Sequence, residues 1–323
     1  MPETVDTLGS PGSPGSPGFL LIGECVADIV RLPGEDDRVH PGGSPANVAY
    51  GLARLGRSST LLTQLGPDAE GRLIADHLAS AGVVVRTDGS TGATPSASVA
   101  LDAAGQAAYT FAIRWTLSPV EPERPPHHVH TGSIATVMEP GAATVVAAVE
   151  SLRTTATVSY DPNVRAALMG DHDAAVRRVE RCVALSDVVK ASDEDLAWLY
   201  PGQSPESVAA RWLGTGGPAL VLVTRGAAGA LAFTPGARTT VDAPRTKVVD
   251  TVGAGDAFMS GTLHALAAHG LLGAAGRNGL RAIDPETVTD VLHHAAVSAA
   301  LTVARAGANP PDEPELRAAL TRA

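Results

Sequence analysis

The sequence predicts an α/β domain in which helices cover both faces of a parallel sheet. Three observations carry that prediction. Short, nearly continuous apolar runs alternate with longer helix-like runs. Each apolar run ends in a polar or glycine-bearing turn. The chain has 323 residues, 44% of them hydrophobic, enough to bury a full core.

The elements follow in order. Residues 9–18 read GSPGSPGSPG, a repeat without apolar surface to bury, and predict a disordered tail over 1–18 ahead of one domain over 19–323. FLLIGECV (19–26) predicts the first strand. PGGSPANVAYGLARLG (41–56) predicts a helix with Ser44 as N-cap, Pro45 at the first helical position and Gly56 as the stop. Val48, Leu52 and Leu55 mark its buried stripe. SASVALDAAGQAAYTFAI (96–113) predicts an antiparallel hairpin turning at DAAG, with Tyr109, Phe111 and Ile113 on one face. With the loop after Val30, this hairpin makes a small projecting sheet, which must cover a ligand or a partner subunit. VHTGS (129–133), TVSYDPN (157–163), DVVKAS (187–192) and ALVLVTRG (219–226) predict further strands, and AATVVAAVESL (142–152) a helix between them. Ligands in such folds sit beyond the carboxyl ends of the strands. The candidates there are Ser133, Asp161, Asn163, Lys190, Ser192, Thr224 and Gly226.

A net charge of −10 excludes nucleic acid or an anionic membrane as the main partner, although a local site can still take a small anion. No apolar run reaches the length of a membrane span, and no secretory signal is visible. Cys25 and Cys182 read as two buried thiols, which places the protein in the cytoplasm.

Familiar nucleotide loops are missing. A P-loop needs glycine before its lysine, but Val189 precedes Lys190 and Thr246 precedes Lys247, the only lysines. The first strand runs into Gly23-Glu24-Cys25, without the second glycine of a dinucleotide fingerprint. GTGGPA (214–219) precedes a strand rather than a helix and contains Pro218. Two other stretches carry more. The paired glycines Gly42 and Gly43 exceed what capping requires, and Asn47 in the following turn can exchange hydrogen bonds with hydroxyls. In VVDTVGAGDAFMSG (248–261), Gly253, Ala254 and Gly255 can aim backbone N–H groups into one concavity at a helix N-terminus, an anion site made without Lys or Arg. Asp256 beside it is either ordinary dipole compensation or the acceptor of a hydroxyl proton in phosphoryl transfer.

The histidines read as structural. HHVH (127–130) is expected at a loop and strand edge, not at a metal, and His264, His269, His293 and His294 on helices. Glu35, Asp36 and Asp37 read as a solvated loop.

With these residues in view, the chain resembles the ribokinase-like (PfkB) carbohydrate kinases over nearly all of its length after the tail. GGSPANVAYGLARLG resembles the family's first signature, GPDAEGRLIADHLASAGV (66–83) its continuation, and DTVGAGDAF (250–258) its second signature. The resemblance implies a three-layer α/β/α ribokinase-like fold with a mainly parallel central sheet and a small β lid, from segments about 28–41 and 94–115. It implies ATP-dependent phosphorylation of a sugar hydroxymethyl group, with Mg²⁺ on the phosphates. Asp256 would be the base and Gly253, Ala254 and Gly255 the anion hole. Asp28, Gly42, Gly43 and Asn47 would hold the sugar. Asn163, Lys190, Ser192, Thr224, Gly226 and Gly229 would line the nucleotide side. Asp195 falls where the family places a carboxylate that organises Mg²⁺ through water. Asp250 and ARAGAN (304–309) resemble its monovalent-cation loop, which implies K⁺. A homodimer through the lid is a further expectation. DPNVR (161–165), KASDEDL (190–196) and RAGANPP (305–311) resemble bacterial fructokinases most. Arg165 is then a candidate for a phosphate or substrate oxygen, and Arg114 and Trp115 are expected to meet substrate. Ribose, 2-keto-3-deoxygluconate and nucleosides are alternative acceptors, and a non-catalytic binding homologue is the alternative of another class.

Overall fold

The computed structural model describes residues 18–31, 36–101 and 107–322. The GSP repeat before Gly18, Glu35 and the DAAG turn lie outside them. Among the described residues, strands β1 (Phe19–Ile22), β4 (Ser59–Thr63), β5 (Val84–Thr87), β8 (His128–Gly132), β9 (Thr157–Asp161), β10 (Val188–Ser192), β11 (Leu220–Thr224), β12 (Ala230–Thr234) and β13 (Ala237–Val241) form a nine-stranded sheet. Its order is β13-β12-β11-β10-β9-β8-β1-β4-β5, parallel except for the β12 and β13 pairings at one edge. A second sheet of order β3-β2-β6-β7 joins β2 (Val26–Arg31), β3 (Arg38–Gly42), β6 (Ser96–Leu101) and β7 (Ala107–Ala112).

The main strands are buried on both faces, so their sequences run apolar without alternation. One face packs Leu21, Leu61 and Leu222 against α1 (Ser44–Arg54), α2 (Ala69–Ser80), α7 (Ala254–Ala268), α8 (Gly273–Arg281) and α9 (Pro285–Val303). The other packs Ile22, Val158 and Val221 against α3 (Gly141–Leu152), α4 (His172–Leu185), α5 (Asp193–Leu199) and α6 (Pro205–Gly214). The C-terminal helix α10 (Glu313–Leu320) seals α9 through Leu316. No helix among the described residues is long and apolar enough to cross a membrane.

Three expectations change. The run 19–26 is not one strand. β1 ends at Ile22, and after Gly23–Cys25 the chain enters the second sheet as β2. Gly23 marks the exit because a Cβ there would collide with Pro45. Ser44 is not the N-cap of α1. That place is held by Gly43 at φ 106, which puts Pro45 second in the helix and leaves the Ser44 hydroxyl free for another task. Gly56 does stop the helix, with φ 76 and the Gly56 and Arg57 amides donating back to Ala53 and Leu52. The HHVH histidines are not at a strand edge. His128 and His130 are fully buried on β8 in mid-sheet, where Ser159 Oγ lies 2.8 Å from a ring nitrogen of each. Thr157 Oγ1 lies 2.8 Å from His128 Nδ1. Burial keeps both imidazoles neutral at ordinary pH, His130 at about 3. No group of three or more His, Cys, Asp and Glu side chains among the described residues could hold a metal ion.

Candidate active site

The site forms where the parallel strands end and α1 and α7 begin. Helix α7 opens at Ala254, with Gly253 before it at φ 75. A Cβ on Gly253 would stand 2.6 Å from Ala308, so the turn needs glycine for both conformation and space. This turn sets Asp256, 9% exposed, in the first turn of α7. Helix α1 reaches across to it. Ser44 Oγ donates to Asp256 Oδ1 at 2.6 Å, and Asn47 Nδ2 donates to Oδ2 at 2.8 Å. Asn47, expected to meet sugar hydroxyls, thus orients the carboxylate itself. Ser44, read from sequence only as a cap, is the second anchor.

The glycine pair before α1 answers to its own chain. A Cβ on Gly42 would collide with the Asp28 carboxylate, and one on Gly43 with the Glu24 carbonyl. Close packing within the chain already requires glycine at both. Asp28 on β2 is exposed, yet the groups around it bury its carboxyl enough to raise its pKa against the pull of Arg165 and His40. His40, directly across from it on β3, is a neighbour that the sequence reading passed over.

Beyond Asp256 lies a buried ion pair among carboxylates. Lys190 lies buried in the middle of β10, and its Nζ donates to Asp161 Oδ2 at 2.8 Å. Burial works against the ammonium, but Asp161, Asp195 and Asp256 outweigh it and raise its pKa. Burial also pushes Asp161 up to about 6, against the pull of Lys190. A Cβ on Gly255 would stand 2.8 Å from Lys190 Nζ. The glycine turn expected to bind an anion without Lys or Arg therefore has a lysine against it, which sequence spacing could not reveal.

Two cavities share Thr224, Gly226 and Gly255. One, of about 560 Å³, is walled mainly by apolar groups, among them Pro244, Val248, Phe258 and Val303, and also takes in Ala254 and Gly229. The other, of about 400 Å³, is polar, with Asn163, Arg165, Lys190, Ser192 and Asp195 on its walls. Asn163 takes the left-handed conformation at φ 34, its amide donating to Asp161 Oδ1. Ser192 caps α5, and Asp195 closes the capping box. Asp195 Oδ1 and Oδ2 already accept the amides of Val164 and Ser192. Asp250 lines neither cavity. It joins two loops, accepting from Val252 N at 3.0 Å and Gly307 N at 2.8 Å, and these amides hold its carboxyl below its usual value. Trp115 does not face the cleft. It is buried, its Nε1 donating to the Ala135 carbonyl, while Arg114 is exposed.

Known proteins agree with this architecture. The pfkB family carbohydrate kinases match residues 19–316. A fructokinase of Klebsiella pneumoniae is 38% identical over 263 residues, covering 78% of this chain and 85% of the relative. A fructokinase of Salmonella typhimurium is 36% identical over 266 residues, with the same coverage of 78% and 85%. Among solved structures, fructokinase with bound ATP from Xylella fastidiosa superposes with a TM-score of 0.83 at 29% identity, over 94% of this chain and 98% of that one. A double mutant of fructokinase from Vibrio cholerae O395, in fructose, ADP and potassium ion bound form, gives 0.79 at 28% identity, over 94% and 98%. The chain belongs to the pfkB family of carbohydrate kinases. It has the ribokinase-like fold and is a sugar phosphotransferase.

Proposed function

We propose that this chain transfers the γ-phosphoryl group of ATP to a hydroxymethyl oxygen of fructose. The observation that carries the reading is the Asp256 carboxylate, fixed by Ser44 and Asn47 beside the anion-binding start of α7. The relatives' names supply the sugar.

The sugar lies between the lid and α1, against Asp28, Gly42, Gly43, Asn47 and Arg165. ATP puts its base in the apolar cavity with Thr224, Gly226 and Gly229, and its phosphates in the polar one with Asn163, Lys190 and Ser192. Asp256 accepts the hydroxyl proton as the oxygen attacks phosphorus. The Gly253, Ala254 and Gly255 segment and the Lys190 ammonium stabilise charge on the transferred group. Closure of the lid excludes water as a competing acceptor. Magnesium, when bound, neutralises phosphate charge. Asp195 fits a contact through water, since both its oxygens already serve backbone amides. Asp250, a carboxylate held charged at the junction with the 304–309 loop, fits a monovalent cation such as K⁺. We place the enzyme in the cytoplasm, with its thiols Cys25 and Cys182 buried and free. The lid edge β7, with Phe111 exposed, is the face for a homodimer.

ADP release measured with fructose, ribose, 2-keto-3-deoxygluconate and a nucleoside, with and without K⁺, tests the reading. Fructose is expected to give the highest kcat/KM. No turnover with any of them would favour a binding protein.

A further inference from the structure

Glu24 is a carboxylate that the proposed chemistry leaves unused. It follows Gly23 at the end of β1 and is 2% exposed. Its Oε2 accepts from Ala135 N at 3.2 Å, and the Ser133 hydroxyl also favours its ionised form. Its carbonyl is the surface on which Gly43 closes. The residue therefore joins two segments, the loop that starts α1 and the turn that follows β8. That second turn is held in an uncommon shape. Ser133 has φ 53, a conformation that a non-glycine residue keeps only when its surroundings impose it. Trp115 grips the same turn from the far side, through the Ala135 carbonyl. From the loop after β9, the exposed Arg165 is the cation that favours the charged form of Glu24, and it does the same for Asp28. The neighbouring Cys25 thiol is pushed up to about 12 by burial and adds no charge.

Resting on the sugar-kinase reading, we infer that Glu24 is a positioning residue for the acceptor sugar: its carboxylate braces the Ser133–Ala135 turn and its charge draws Arg165 into the cleft. The sugar touches Asp28 and Arg165, and Glu24 acts through them.

Burial pushes Glu24 up to about 7, so the brace loses its charge within the working range of pH. Two signs follow. Below about 7 the carboxyl takes a proton, Arg165 loses its hold and sugar affinity falls. For stability, the folded state holds this proton more tightly than the unfolded chain. The penalty is absent below 4.5, where both states are protonated, grows as pH rises towards 7, and is complete above it.

The test is Glu24→Gln, which keeps an acceptor for the Ala135 amide and removes the charge. The expected result is a rise of roughly tenfold in sugar KM, the loss of about one charged interaction, with kcat and the ATP KM within about twofold. Sugar KM in the wild type should rise as pH falls from 8 to 6 and stay flat in the variant. The variant should melt higher than wild type at pH 8, with most of that gain gone by pH 5. In the Arg165→Ala background, adding Glu24→Gln should change sugar KM by less than about twofold. Sugar affinity is read by calorimetry beside KM. A chain that binds sugar without turnover then counts against the kinase reading and still tests Glu24. Wild-type KM and an unchanged pH profile in Glu24→Gln would overturn the inference. So would a loss spread over kcat, both KM values and melting temperature, the mark of a merely structural role.

Discussion

Asp256 is fixed by two residues more than 200 positions away in sequence, with |i−j| of 212 to Ser44 and 209 to Asn47. The sequence made the carboxylate visible through GAGD, and the asparagine through its place after paired glycines. Ser44 was hidden because a serine before Pro45 has the same local signature whether it caps its own helix or reaches a distant partner. The structure decides, because Gly43 takes the cap position and frees the hydroxyl. Ser44→Ala should therefore lower kcat by roughly tenfold, the effect of one charge-assisted hydrogen bond on the orientation of the base, with sugar KM changed less than about twofold. Steady-state kinetics checks this, and an equal loss in sugar KM would instead make Ser44 a substrate contact. Lys190 at the anion hole was hidden in the same way. Its distance from Gly255 follows from β10 and α7 meeting in space, which no local pattern encodes.

At the scale of elements, the main strands and α1 were legible because burial on two faces, or along one stripe, writes itself as apolar periodicity. The lid hairpin was legible because its alternation differs from theirs. Two elements were misread where polar residues or continuity misled. FLLIGECV looks unbroken, yet Gly23 lets the chain turn from main sheet to lid against Pro45. HHVH looks like a loop and strand edge, yet Thr157 and Ser159 on the adjacent strand satisfy three of the four ring nitrogens of His128 and His130, while His130 Nε2 finds no partner. The turn before α7 is the element on which the site depends most. Gly253→Ala should destabilise the protein by about 1–3 kcal/mol, from a left-handed alanine pressed on Ala308. Denaturant unfolding measures this, and a change below about 0.5 kcal/mol would mean that the turn relaxes freely.

At the scale of the whole molecule, function depends on two sheets with different duties. The nine-stranded sheet holds Lys190, Asp161 and the strand-end turns in a buried frame, while the smaller sheet carries Asp28, proposed to meet the sugar. The lid is open on its β7 edge, where Phe111 is 42% exposed. If that edge is the dimer surface, Phe111→Glu should shift the protein to monomer in sedimentation while its melting temperature changes little, since the side chain supports no core. An unchanged sedimentation coefficient would remove the lid from the interface. The central claim is that a carboxylate anchored by α1 at the head of α7 takes the acceptor's proton, and Asp256→Asn tests it most directly. Its kcat with fructose and ATP should fall by about 10²–10⁴-fold, with melting temperature and ATP KM near wild type. Near-normal turnover in that folded variant would contradict the account.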